Sequence, residues 1–341
     1  MHLSENPFGP SQAVLAAIED EARRANFYPD PTCAMLREQL AEFYDVDPDM
    51  VFVGNGIDEL VLVIALTLID PSRAGLTTES TYPVYKMNIL LRNAAYQSIP
   101  LSGYSIPMDD LAAACDSHTA VVFICNPHNP AGTVIDASAI QQFLKLTDAR
   151  GIIPVFDEAY AEFIGETFDS VLPAIRCGAN AIALRTFSKA YGLAGLRIGY
   201  AIGPKPLIDR MKRMRAGGPF CVNRIAQKAA MAALQDRQFV KDVRVSIEES
   251  KSVFRAGMRR LGIPCPDSRT NFFLIKVPGN NGEFCQRLSE EHKILTRDTT
   301  LFGFPNHIRI SMGDREQTAR ACHAIEEVMS SSALEVEALA L

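Results

Sequence analysis

The sequence predicts an α/β protein with a large lobe, a mostly parallel sheet carrying helices on both faces in three layers, and a smaller α+β lobe. Three observations lead there. Short β-branched runs alternate with helical periodicity through the first two thirds of the chain, the pattern changes after Pro219, and 341 residues exceed what one simple core usually organises.

The alternation begins with a strand at Val51–Val53, a helix at Asp58–Ile69, a strand at Ala74–Thr77 and a helix at Pro83–Leu91. Further strands are expected at Ala120–Cys125, Ile152–Phe156, Ala181–Thr186 and Ile198–Ile202, with a helix following Asp136. Beyond Pro219 a long helical stretch from Arg237 to Leu261 precedes a strand at Phe272–Val277 and a helix at Gly282–Glu291. Strands at Ile294–Thr296 and His307–Ser311 and a last helix from Asp314 to Met329, with a frayed tail, complete the reading. Residues 30–230 form the expected large domain, and residues 1–29 with 231–341 the small domain that covers the substrate site.

Composition narrows the function. With 48% hydrophobic and 22% charged residues the chain is an ordinary globular one, and its formal charge of −6 provides no footprint for nucleic acid. The one basic stretch, Lys212, Arg213 and Arg215, reads as a solvated helix end. Eight cysteines stand far apart without a C-x-x-C pair, as free thiols of a reducing, cytoplasmic compartment. The six histidines lack ligand spacing, so no metal site is expected. Met1 to Pro10 does not read as a signal peptide, and the longest apolar run, Leu60 to Ile69, is too short for a bilayer and reads as a buried helix.

In an open α/β sheet, ligands bind outside the carboxyl ends of the strands. Four polar clusters stand at such ends: Gly54-Asn55-Gly56-Ile57-Asp58-Glu59, then Asn126-Pro127-His128-Asn129-Pro130-Ala131-Gly132, then Asp157-Glu158-Ala159-Tyr160, and Phe187-Ser188-Lys189 with Gly192-Leu193-Ala194-Gly195-Leu196-Arg197. Each alone resembles a turn, a helix cap or a solvated lysine. Together they place an amine, an anion site, an aromatic ring and a buried acid in one crevice. Gly54-Asn55-Gly56 lacks the rest of a G-x-G-x-x-G fingerprint, which argues against a dinucleotide-binding dehydrogenase.

With these clusters the sequence resembles the fold-type-I enzymes that use pyridoxal 5′-phosphate, and among them the histidinol-phosphate aminotransferase family. The resemblance is nearly chain-long. It takes in Ser4-Glu5-Asn6-Pro7-Phe8-Gly9-Pro10, Tyr28-Pro29-Asp30-Pro31, Thr81-Tyr82-Pro83-Val84-Tyr85, Asn271-Phe272-Phe273, Arg297, and Ile308-Arg309-Ile310-Ser311-Met312-Gly313. It implies that Lys189 carries the cofactor covalently and then shuttles a proton, and that Asp157 keeps the pyridine nitrogen protonated. Asn129 and Tyr160 are implied to hydrogen-bond the ring's 3′-oxygen, and Tyr82 to stack on the ring. Ile57, Asp58 and Glu59 at a helix start, with Ser188 and Arg197, are implied to form the phosphate cup. Tyr28 would reach the phosphate in a neighbouring subunit, giving a homodimer with shared sites. Arg309, assisted by Arg297, Asn6 and Phe220, would hold the substrate.

The implied reaction moves an amino group from a small-molecule donor, an amino acid or an amino-alcohol phosphate, to a 2-oxo acid such as 2-oxoglutarate. Three departures limit the choice of substrate. The chain begins close to the first motif, His128 and Ala131 stand where relatives carry other residues, and residues 216–223 are glycine-rich around Gly217-Gly218. An aromatic amino acid, or decarboxylation of the threonine-phosphate type, stays open. A regulator that reuses this fold would need an additional DNA-binding segment, for which the chain is expected to have no room.

Overall fold

The computed structural model describes residues 1–215 and 222–339. Seven strands form the main sheet: β1 (Val51–Gly54), β2 (Ala74–Thr78), β3 (Ala95–Ile99), β4 (Thr119–Cys125), β5 (Ile153–Asp157), β6 (Ile182–Thr186) and β7 (Gly199–Ile202). Their order is β1-β7-β6-β5-β4-β2-β3, parallel from β3 to β6, with β7 antiparallel to both of its neighbours. β4, β5 and β6 are buried along their whole length, as a sheet covered on both faces requires. A second sheet orders β8 (Phe272–Lys276), β10 (His307–Ser311) and β9 (Arg297–Asp298), all antiparallel.

The apolar run read from Leu60 to Ile69 lies in the helix Gly56–Leu68, whose Leu60, Val61, Ile64 and Ala65 are buried. One hydrophobic cluster continues from this helix and one face of the large sheet to Phe254, Phe273 and Ile310 of the second sheet and its helices. The other face packs on a separate cluster, in which Val14 of the helix Gln12–Ala22 meets Ala226 and Ala230 of the helix Arg224–Gln235. Asp236 caps the next helix, Arg237–Arg260, by accepting from the Phe239 N–H, which matches the helical stretch expected from Arg237 to Leu261.

Several expectations are corrected. β3 has no counterpart among the expected strands, because its residues are partly exposed at the sheet edge and carry no apolar run. The strand expected at Ile294–Thr296 begins only at Arg297, where pairing with β10 starts, after Lys293 has ended the preceding helix in a left-handed conformation. Arg215 is not a solvated helix end: it donates to the Val53 carbonyl at 2.5 Å and lies over the Phe52 ring. Among the described residues no disulfide joins the seven cysteines, no three His, Cys, Asp or Glu side chains are grouped as for a metal ion, and no helix is long and apolar enough to cross a membrane.

Candidate active site

Register sets the carboxyl ends of β4, β5 and β6 side by side, aligning Cys125 with Asp157 and Asp157 with Leu184. The residues that end or follow these strands therefore open into one crevice. A cavity of about 490 Å³ lies there, bordered by Asn129, Asp157, Tyr160, Ser188 and Lys189 from the large sheet and by Arg297 and Arg309 from the small one. That volume suits a small-molecule site.

Asp157 ends β5 and is almost wholly buried. It accepts from the Tyr85 hydroxyl at 2.6 Å and from the Ala159 N–H at 3.1 Å, and no cation forms an ion pair with it among the described residues. Burial pushes its carboxyl up to about 6, with Asp58 adding to the rise, against the hydrogen bonds and Lys189. A buried acid without a cation partner is costly unless a ligand supplies the positive charge.

Lys189 stands three residues past the end of β6, its Nζ donating to the Leu3 carbonyl at 2.8 Å and lying 5.6 Å from the centre of the Tyr160 ring. Burial, then the charge of Arg309, pulls the ammonium down to about 8. Much more of it is therefore neutral, and nucleophilic, near physiological pH than of an ordinary lysine. The loop that carries it is clamped from the amino terminus. Gly192 has φ +75°, and a Cβ there would come within 2.4 Å of the Gly9 carbonyl oxygen, so only glycine lets the amino-terminal strip cross so closely.

The anion cup is built from the start of the helix Gly56–Leu68. Asn55 makes no side-chain cap, which leaves the first N–H groups without a partner from that side chain at the positive end of the helix dipole. Arg197 reaches over this start and pairs with Asp58 at 3.0 Å, and Gly56, at φ +76°, makes room: a Cβ would stand 2.7 Å from the Arg197 Nη2. Tyr82 donates to Asp58 at 2.6 Å and sets its ring edge-on to Tyr85.

Opposite the cup, Arg309 is buried, donating to Asn129 Oδ1 at 2.5 Å and to the His2 carbonyl at 3.0 Å, while its Nε has no partner. No carboxylate pairs with it among the described residues. With Oδ1 engaged, Asn129 has its NH₂ donor left to offer. Arg297 reaches the same cavity beside His2 and Phe302.

The structure thus brings Ile57, Asp58, Tyr82, Asn129, Asp157, Tyr160, Ser188, Lys189, Arg197, Arg297 and Arg309 into one cavity. Glu59 does not line it; its carboxylate turns back to accept from the Asn55 N–H. Asn6 does not line it either: its amide spans the Ala190 carbonyl and the Phe8 N–H and so tethers the strip to the Lys189 loop. Tyr28 stands outside, 79% exposed, with Arg224 donating to its carbonyl. Phe220 lies outside the described residues. Sequence reasoning missed Leu3, Cys125, Thr186 and Phe302 as lining residues. Leu3 had a signal in its place beside the amino-terminal motif, and Cys125 and Thr186 in theirs at the carboxyl ends of expected strands; Phe302 had none.

A carbonyl-reactive amine, an acid that lacks a cation and an anion cup around one cavity define a pyridoxal-phosphate enzyme on an aminotransferase fold. Residues 1–325 match the family Aminotransferase class I and II, to which the chain belongs. Its relatives include histidinol-phosphate aminotransferase 2 of Carboxydothermus hydrogenoformans, 34% identical over 328 residues, covering 96% of this chain and 90% of the relative. The histidinol-phosphate aminotransferase of Akkermansia muciniphila is 36% identical over 327 residues, covering 96% and 88%. The crystal structure of histidinol-phosphate aminotransferase from Sinorhizobium meliloti in complex with pyridoxal 5′-phosphate superposes with a TM-score of 0.88 at 27% identity, covering 97% of this chain and 90% of that one. The aspartate aminotransferase of Thermotoga maritima, at 23% identity and a TM-score of 0.87, has the same fold.

Proposed function

We propose that this enzyme transfers the amino group of a substrate with an anionic end, histidinol phosphate first among them, to a 2-oxo acid such as 2-oxoglutarate. The observation that carries the reading is Arg309. Among the described residues this buried guanidinium has an unpartnered Nε and no carboxylate beside it, an arrangement suited to a carboxylate or phosphate. Arg297, the register partner of Arg309 in the small sheet, lines the same cavity and would share a doubly charged group. The bound cofactor supplies an electron sink for charge developing at the substrate's Cα. The chain's own residues would do the rest: Asp157 would hold the ring nitrogen, Asn129 and Tyr160 the 3′-oxygen, Tyr82 the ring, and Ser188, Arg197 and the helix start the phosphate. Lys189 holds the cofactor and then moves a proton at Cα. Residues 30–230 act as the cofactor-binding domain, and the remainder as the domain over the substrate.

A screen of amino donors and 2-oxo acceptors on purified holoenzyme tests this. Transfer from histidinol phosphate to 2-oxoglutarate, with glutamate formed, is the expected result. Carbon dioxide release without amino transfer would overturn it in favour of a decarboxylase, and activity confined to aromatic amino acids would overturn the substrate.

The working form is a cytoplasmic homodimer in which Tyr28 completes the partner's phosphate cup; the exposure of this residue supports the reading. A Lys189→Ala subunit still lends its Tyr28, and a Tyr28→Ala subunit keeps its Lys189. Refolding the two inactive parents together should restore about a quarter of wild-type activity if pairing is random and the sites independent. Mixed dimers that recover nothing would place Tyr28 within its own subunit.

A further inference from the structure

Tyr85 is the last residue of the Thr81–Tyr85 motif and does not line the cavity. It is fully buried: its ring stacks on Phe123, with centroids 5.1 Å apart and planes 1° from parallel, and meets the edge of Tyr82 at 5.7 Å. Its hydroxyl donates to Asp157 Oδ2 at 2.6 Å. One side chain therefore touches both the acid at the cavity floor and the aromatic ring at the cavity wall.

We propose that Tyr85 is a positioning residue: its hydroxyl fixes the Asp157 carboxylate where it lines the cavity and holds it in the anionic form that keeps the cofactor's ring nitrogen protonated. The geometry leaves few other candidates. Of the donors on Asp157, the Ala159 N–H is longer at 3.1 Å and belongs to the backbone two residues on, so Tyr85 supplies the only side-chain hydrogen bond among the described residues. The titratable groups that face Asp157 are Asp58, Lys189, Tyr82, Tyr160 and the Cys125 thiol. Asp58 opposes ionisation and Lys189 favours it, as do the hydrogen bonds from Tyr85 and Ala159, against the dominant cost of burial. A phenol that donates to a carboxylate in a buried site stabilises the anion more than a neutral pair would, since the bond is charge-assisted.

The inference rests on the role of Asp157 toward the cofactor, so its test separates the two. In the cofactor-free protein, Tyr85→Phe keeps the ring on Phe123 and removes only the oxygen. The Asp157 midpoint, followed by the carboxyl carbon resonance of ¹³C-aspartate-labelled protein, should rise by about one pH unit. In the holoenzyme Tyr85→Phe should lower kcat about tenfold with little change in KM, yet less than twofold when added to Asp157→Asn, because the anion it serves is then gone. An unmoved Asp157 midpoint, or losses that multiply in the double variant, would overturn the proposal. Should the variant not fold, the wild type still decides: the Tyr85 Cζ resonance should follow the Asp157 titration with the same midpoint, and a resonance that ignores it would sink the idea. If Asp157→Asn alone leaves the rate intact, the role of Asp157 fails, while the titration still reports whether Tyr85 governs its charge.

Discussion

Lys189→Ala is expected to give a folded protein that takes up the cofactor without covalent attachment and loses turnover by at least about 10⁴-fold. The amine is the part of Lys189 that the chemistry needs, and among the described residues its hydrogen bond runs to a backbone carbonyl at 2.8 Å. The apolar residues that anchor its loop, Phe187, Ala190 and Leu193, are untouched by the change. Removing a cation that burial already disfavours should not lower the melting temperature of the cofactor-free protein at neutral pH. The sign follows from the shift: with the folded value at about 8, below the ordinary 10.5, the penalty is full below pH 8 and fades as pH rises toward 10.5. In the wild type the neutral amine is the nucleophile, so the rate of cofactor attachment should climb with pH and level off above about 8. Borohydride reduction and peptide mapping check the assignment, and a trapped adduct on any other lysine would refute it.

The strands that position this lysine were legible because they are buried runs: β4, β5 and β6 offer water no side chain along their length. β3 was not legible, since an edge strand that reads Ala-Tyr-Gln-Ser-Ile has no apolar face to betray it. The same division runs through the site. Asp157, Lys189 and Asn129 follow strands, so topology alone delivers them to one crevice. Leu3, Arg309 and Phe302 arrive there through contacts between distant parts of the chain, such as the bond between Lys189 and Leu3 across 186 positions. Local pattern holds no record of such contacts; Arg309 was found only through resemblance. Asn6 illustrates a different limit: a motif marks a residue as fixed without saying which way its amide points, and here it points to Ala190 rather than into the cavity.

Asp157→Asn separates catalysis from stability. The amide keeps the shape of the carboxyl and can still accept from Tyr85, but it cannot hold a proton on the pyridine nitrogen. Cofactor attachment at Lys189 should survive, while turnover should fall by about 10³-fold or more. The cofactor-free protein should respond in the opposite direction. Its Asp157 carboxyl, held at about 6 by burial against an ordinary 3.8, is protonated in both folded and unfolded chains below pH 3.8, so it costs nothing there. Between pH 3.8 and about 6 the folded chain retains a proton that the unfolded chain has lost, and stability declines as pH rises. Above that window the penalty is complete, on the order of 3 kcal/mol. Asp157→Asn should therefore raise the melting temperature of the cofactor-free protein by several degrees at pH 8 and leave it unchanged at pH 3.5. Calorimetry at the two pH values checks the stability arm. A stabilised variant with near-normal turnover would mean that another group protonates the ring; a variant inactive but no more stable at pH 8 would mean that the carboxylate already has a compensating partner in the cofactor-free protein.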